Sequence, residues 1–184
     1  MKGIIEFLRA AGRLKGLPRT GWLEAGVETP ESVAEHSYRT AVLAVVLADL
    51  EGLDAGKAAR MALLHDLAEA ETGDLTPEQK GRLGPAYSKG EAEAVDRALS
   101  SLPEPLAEAY RAAWREYHGM ASPEAEAVAQ ADKVEMLLQA LEYEEEGIDP
   151  SRLDRFWSTK VEGGPPSELA EALSRIRRLR LTPP

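Results

Sequence analysis

Asp54-Ala55-Gly56-Lys57-Ala58-Ala59-Arg60-Met61-Ala62-Leu63-Leu64-His65-Asp66-Leu67-Ala68-Glu69 is the stretch on which the fold turns. Ala58, Met61, Leu64 and Ala68 recur at helical spacing, with Asp54 ahead of them as an N-cap and Gly73 behind as a stop. Within this otherwise apolar helix an imidazole and a carboxylate, His65 and Asp66, stand side by side. Adjacent helical residues point about 100° apart, yet their Cα atoms are only about 3.8 Å apart. An ion between the two directions is within reach of both. Glu69, four residues after His65 and three after Asp66, adds an acidic group on the same face. Burying such a pair is costly unless it is hydrogen-bonded or bound to a metal. From the dipeptide alone both readings stand, metal ligands or a staple between two helices.

Helical periodicity continues on either side, and alternating strand patterns are nearly absent. A first helix is expected over about Lys2–Leu17, ended by Pro18, with a loop from Pro18 to Thr29. Thr29-Pro30 reads as the cap and first turn of a second helix that runs to about Leu50. That helix is almost wholly apolar from Ala41 to Ala48 and is expected to be central and buried. After Gly73 a polar Thr-Pro-Glu turn is expected. Further helices follow over Ser88–Leu102, from Pro103 through Trp114 to near Gly119, and from Ser122-Pro123-Glu124 to Glu146. Pro150–Lys160 and Pro166–Leu179 close the chain. The pattern predicts an all-α fold, a helical bundle forming one domain over residues 1–184.

Composition narrows the function classes. The 184 residues are 43% hydrophobic and only 5% aromatic, so the core is built from Leu, Val, Ile and Ala, with Ala and Leu good helix formers. No stretch approaches the roughly 18 apolar residues of a membrane span, and the N-terminus reads as an amphipathic helix with Glu6 and Arg9 rather than as a signal peptide. The absence of cysteine excludes disulfides and thiolate metal sites and fits a cytoplasmic location. A net charge of −10 disfavours a nucleic-acid polymer as partner. The one basic cluster, Arg175, Arg177, Arg178 and Arg180, reads as a solvated helix end, as does the acidic run Glu142, Glu144, Glu145 and Glu146. A small anion bound through a metal stays open.

Two more polar residues interrupt apolar helical stretches: His36 in Glu31-Ser32-Val33-Ala34-Glu35-His36-Ser37, and Asp132 in Val128-Ala129-Gln130-Ala131-Asp132-Lys133-Val134. Three helices, each offering an expensive polar group from its apolar portion, are best explained by one shared site. Two imidazoles and two carboxylates suit one divalent ion of Mn, Fe, Co, Ni or Zn, and Mg less well. His118, ahead of Gly119 at a helix end, is not taken as a ligand, and Glu116 and Glu135 are placed behind the site as supporting groups.

The order His36, His65-Asp66, Asp132 resembles the signature of the HD-domain metal phosphohydrolases. Leu14-Lys15-Gly16-Leu17-Pro18-Arg19-Thr20-Gly21-Trp22, Glu31 to His36, His65 to Glu69 with Thr72-Gly73-Asp74, and Ala131 to Met136 resemble the 5′-deoxynucleotidase branch of that family. The resemblance spans about Leu14 to Glu146. It implies the HD-domain helical bundle and hydrolysis of 2′-deoxynucleoside 5′-monophosphates to deoxynucleoside and phosphate by a metal-dependent homodimer. It also implies that His36, His65, Asp66 and Asp132 are the ligands and that Glu69 and Asp74 are the acidic catalytic pair, their division of acid and base roles open. Arg19 and Trp22 would hold the nucleotide and help exclude the ribonucleotide. The alternatives are an HD phosphohydrolase acting on a triphosphate or a cyclic or linear dinucleotide, and a catalytically silent module that binds metal and nucleotide.

Overall fold

The computed structural model describes residues 1–181, so the last three positions of the expected domain, 182–184, lie outside the described residues. The helices are α1 (Lys2–Gly12), α2 (Thr20–Glu24), α3 (Val33–Glu51), α4 (Ala55–Leu64), α5 (Glu69–Thr72), α6 (Pro77–Leu83), α7 (Pro85–Leu99), α8 (Glu104–His118), α9 (Pro123–Glu145), α10 (Pro150–Trp157) and α11 (Gly164–Leu181), with a 3₁₀ turn at Arg13–Gly16. Among the described residues there is no strand, only an isolated bridge between Pro18 and Ser32. The fold is all-α, as the periodicity predicts, and no described helix is long and apolar enough to cross a membrane.

α3 lies at the centre, packed against α4 on one side and α9 on the other. The main core joins these helices to α7 and α8 through Leu47, Ala58, Met61, Leu99, Trp114 and Val128. Its many alanines let helix axes approach closely. A smaller cluster of Trp22, Val27, Ala140, Tyr143 and Leu153 ties α2 and α10 to the second half of α9.

Several boundaries differ from the expected ones, each for a local reason. α1 ends at Gly12 and continues to Gly16 only as the 3₁₀ turn. α3 starts at Val33 and not at Thr29. The Glu35 amide donates to Ser32 Oγ (3.2 Å) while Glu35 Oε2 accepts from the Ser32 amide (2.7 Å), a reciprocal cap. The residues before it are extended because their backbone bonds go to the preceding segment, Arg19 N to Glu31 O (3.0 Å) and Val33 N to Leu17 O (2.9 Å). The expected 18–29 loop contains the short α2, and the expected Thr-Pro-Glu turn opens α6, where Thr76 and Gln79 form a second reciprocal cap. α7 begins at Pro85, ahead of Ser88, and stops at Leu99.

The expected continuous helix from Asp54 to Gly73 is broken. From Leu64 onward the bonds become Leu67 N to Leu64 O, Glu69 N to Asp66 O and Ala70 N to Leu67 O, the tighter i to i−3 pattern. The cause lies at His65, whose Nδ1 donates to the Ala62 carbonyl (2.7 Å), the acceptor that an unbroken helix gives to the Asp66 amide. His65 and Asp66 therefore leave α4 in a tight turn. α3 is also not buried all round: Ala44, Leu47 and Ala48 are, while Tyr38, Val42, Val46 and Leu50 form an exposed stripe at every fourth residue.

The two charge runs expected to be solvated meet each other instead. Arg177 on α11 donates to Glu144 Oε1 on α9 (2.8 Å) and to Asp154 Oδ1 on α10 (2.6 Å), and Arg180 pairs with Glu145. Glu142 pairs with Arg39 of α3.

Gly3 marks a close approach between chain segments, since a β-carbon there would lie 1.8 Å from the Ser101 carbonyl oxygen. Gly3→Ala should destabilise the protein by about 1–3 kcal/mol, through a backbone shift that separates α1 from the turn between α7 and α8. Gly12→Ala, with nothing within 4 Å and right-handed backbone angles, should gain about 0.5–1 kcal/mol. Urea unfolding of both variants checks this, and a neutral Gly3→Ala would refute the close packing.

Candidate metal centre

His36 projects from the second turn of α3 into complete enclosure. Its Nε2 lies 3.1 Å from Asp132 Oδ1 of α9 and 3.8 Å from Asp66 Oδ2. Asp66 Oδ2 is also 3.1 Å from His65 Nε2. His36, His65 and Asp132 offer donor atoms that all lie within 4.8 Å of one another. The four residues singled out in three separate helical segments thus converge on one point.

The far side of each imidazole decides what that point can hold. His36 Nδ1 is 2.5 Å from Glu135 Oε2, and Glu135 is wholly buried. Its Oε1 accepts from Arg39 Nε (2.9 Å), and Arg39 goes on to Gln139 (2.5 Å) and Glu142 (2.6 Å). His65 Nδ1 is committed to Ala62 O. A neutral imidazole has one N–H, and each ring spends it there. Both Nε2 atoms are buried without a hydrogen-bond partner, their lone pairs turned toward carboxylates. Lone pairs set against carboxylate oxygens repel unless a positive centre lies between them. A neutral His–Asp staple does not satisfy this arrangement; a positive centre does, whether a second proton on His36 Nε2 or a metal ion. Donor spacings of 3.1–3.8 Å suit atoms sharing one ion through bonds of roughly 2.0–2.2 Å.

The electrostatics agree. Burial and Arg19 disfavour a charged His36, yet Asp132 and Glu135 override both and push its pKa up to about 10. Burial would raise Asp66, but His65, Arg19 and His36 hold it far below the usual carboxylate range. The field that draws a proton onto His36 also draws a metal ion, and the set of two imidazoles with two carboxylates fits a divalent one.

A pocket of about 540 Å³ opens over His65, Asp66 and Asp132. Arg19 enters it from the residue before α2, Nη1 3.4 Å from Asp66 Oδ2, its backbone fixed by the amide bond to Glu31 O. Asp74, in the loop after α5, accepts the Thr20 amide on Oδ2 and the Thr20 hydroxyl on its carbonyl (2.7 Å), tying that loop to the Arg19 segment. Glu69 is 3% exposed, with Oε1 3.1 Å from Lys80 Nζ and Oε2 buried without a partner. Burial, Asp66 and Asp74 push its pKa up to about 9 against the pull of Lys80. Seven of the eight expected site residues, Arg19, Trp22, His65, Asp66, Glu69, Asp74 and Asp132, thus line one cavity, with His36 enclosed behind it.

Trp22 lines the pocket from a tightly packed position: it is 2% exposed, Phe156 lies 4.0 Å from it centroid to centroid, Tyr143 meets it edge-on at 5.2 Å, and Nε1 donates to Glu31 Oε1 (3.0 Å). The indole is held as part of the pocket wall. Glu116 pairs with Lys57 (2.6 Å), not with the centre. His118 stacks on Trp114 at 4.0 Å, and burial pushes its pKa down to about 4. Lys80, on the unexpected α6, was invisible to periodicity. Glu135 carried a signal, standing three residues after Asp132 on the same face of α9.

The model of the HD domain family matches residues 11–174 of the chain. A human protein named 5′-deoxynucleotidase HDDC2 is 37% identical over 98% of this chain and 88% of its own length. A Schizosaccharomyces pombe protein named 5′-deoxynucleotidase hdd1 is 34% identical over 86% of this chain and 81% of its own. Among solved structures, the PH0347 protein of Pyrococcus horikoshii OT3 aligns with a TM-score of 0.76 at 37% identity, over 95% of this chain and 99% of that one.

Adding a divalent transition-metal ion to chelator-stripped protein should raise its melting temperature by mass action. Glu135→Gln, which weakens the hold on His36, should require about 10 to 100 times more metal for the same rise. A wild-type melting temperature indifferent to metal would remove the metal centre.

Proposed function

The chain belongs to the HD domain family, and from that premise we propose that it hydrolyses 2′-deoxynucleoside 5′-monophosphates to deoxynucleoside and phosphate as a metal-dependent phosphomonoesterase. The observation that carries this reading is the pair of buried His Nε2 lone pairs facing Asp66 and Asp132 at the floor of a pocket that also holds Arg19, Glu69 and Asp74. Relatives named for the same activity, aligned over nearly the whole chain, supply the substrate class. We take residues 1–184 as one domain, acting in the cytoplasm.

His36, His65, Asp66 and Asp132 would hold one divalent ion of Mn, Fe, Co, Ni or Zn. When bound, such an ion supplies Lewis acidity, withdrawing charge from the phosphoryl group and acidifying water. The chain's own groups do the rest. The Arg19 guanidinium, a fork of donors, binds the phosphate oxygens. A bond forms from water oxygen to phosphorus while the bond from phosphorus to the 5′-oxygen breaks. The attacking and leaving oxygens lie roughly in line on opposite sides of phosphorus. The water gives up a proton on one side and the 5′-oxygen takes one on the other, so two proton-carrying groups are needed, and Glu69 and Asp74 serve the two sides. The wall of Trp22 and Phe156 limits the space beside the sugar.

Phosphate release from dAMP, dCMP, dGMP and dTMP, and from the matching ribonucleotides, tests the reading with metal-stripped protein given Mn, Co, Ni, Zn or Mg in turn. Release from the deoxynucleotides alone, abolished by chelator, is the expected result. Asp74→Asn should lower kcat by about 10² or more while metal content stays, because a proton-carrying group is lost. Release from no monophosphate would sink the substrate assignment. Full activity of Asp74→Asn would sink its catalytic role.

We also infer a homodimer formed through the α3 stripe. Tyr38 and Leu50 are 69% and 65% exposed, an unusual outlay of apolar surface on a central helix. Val46→Glu should convert the protein from dimer to monomer in light scattering; a monomeric wild type would refute the interface.

A further inference from the structure

We propose that Lys80 is a positioning residue for Glu69, holding its carboxylate by Oε1 so that Oε2 is the oxygen left for substrate and water. This rests on the proton-carrying role given to Glu69 above. Lys80 Nζ lies 3.1 Å from Glu69 Oε1, while Oε2 is buried and unpartnered, and both residues line the pocket. The Glu69 carboxyl is 3% exposed, and with one oxygen tied to an ammonium and the other bare it presents that second oxygen in a fixed direction. Lys80 is the ion-pair partner that Glu69 has in the structure.

The cation is itself held in place. α6 is fixed at its start by the Thr76–Gln79 cap, and Gln79 Nε2 donates to Glu24 Oε1 of α2 (3.0 Å). The α5–α6 loop is tied to α2 by Asp74 and Thr20. The Lys80 ammonium sits 5.4 Å from the centre of the Tyr87 ring on α7, which limits the directions open to it. Three elements therefore converge to present one ammonium to one oxygen of Glu69. A lysine there only for stability would not need its partner's second oxygen kept bare at a pocket wall.

The test uses the full-length, metal-loaded protein and the variants Lys80→Met, Lys80→Arg, Glu69→Gln and the double variant Lys80→Met/Glu69→Gln. dAMP and p-nitrophenyl phosphate are assayed in parallel, so that a wrong deoxynucleotide assignment still leaves kcat readable. Lys80→Met should lower kcat by about 100-fold, the effect of a misplaced reacting group, with KM unchanged within about twofold. Metal per chain by mass spectrometry and calorimetric binding of inorganic phosphate should stay at wild-type values. Lys80→Arg should recover part of the rate, and Lys80→Met should cost nothing further in the Glu69→Gln background. Two results overturn the proposal: a tenfold weaker KM or phosphate affinity with kcat retained, which makes Lys80 a direct phosphate contact, or losses that add in the double variant. If Glu69→Gln alone keeps full activity, the role of Glu69 and this inference fall together, whereas dAMP inertness with p-nitrophenyl phosphate turnover falls on the substrate reading alone.

Discussion

A neutral His36 has one N–H for two ring nitrogens, and carboxylates stand on both sides of it. Donating that N–H to Glu135 leaves Nε2 facing Asp132 and Asp66 as an electron pair among electron pairs. Such an arrangement is stable only around a positive centre, and much of the molecule is organised to keep it. Glu135, wholly buried, is tolerable because Arg39 closes on its other oxygen. Arg39 in turn is shared with Gln139 and Glu142 on later turns of α9. The polar chain thus runs along the seam between α3 and α9 and fixes their register, while the alanine-rich faces around it bring the helices close enough to make it.

What was legible in the sequence follows from this division of labour. Residues on the long helices were readable, because a His or an Asp in an apolar helical stretch has few bland explanations, and three such stretches share one. His36, His65, Asp66 and Asp132 stand out that way, and the structure brings them together. The pocket walls were not. α2 and α6 are five and seven residues long, too short for periodicity to register, and tethers distant in sequence hold them: Thr20 to Asp74, Arg19 to Glu31, Gln79 to Glu24. The surroundings of Trp22 are hidden in the sequence for the same reason. An aromatic residue in a loop gives no sign of which neighbours cover it, and here Phe156, more than 130 residues later, does.

The break after Leu64 shows a local rule yielding to a site. The Asp54–Gly73 pattern is good helix throughout, and propensity alone favours continuing it. His65 diverts the Ala62 carbonyl to its own ring, and the chain tightens for one turn before α5 resumes. The diversion orients the His65 ring and carries Asp66 round to face His36. A small loss of regular hydrogen bonding is exchanged for the alignment of two donor groups.

α11 is attached by a different kind of force from the rest of the bundle. Of its residues only Pro166 is buried, and charged groups carry much of its hold on α9 and α10: Arg177 pairs with Glu144 and Asp154 and lies over the Trp157 ring, and Arg180 pairs with Glu145. Arg180–Glu145 lies in solvent and fades as the screening length shortens from about 10 Å at 0.1 M salt to about 3 Å at 1 M, whereas Arg177–Glu144, 13% and 5% exposed, is screened much less. Warming acts in the opposite sense, because the desolvation cost of ions falls with temperature. The last helix is therefore a strap with two fastenings, an outer one at Arg180 that brine loosens and an inner one at Arg177 that it barely reaches.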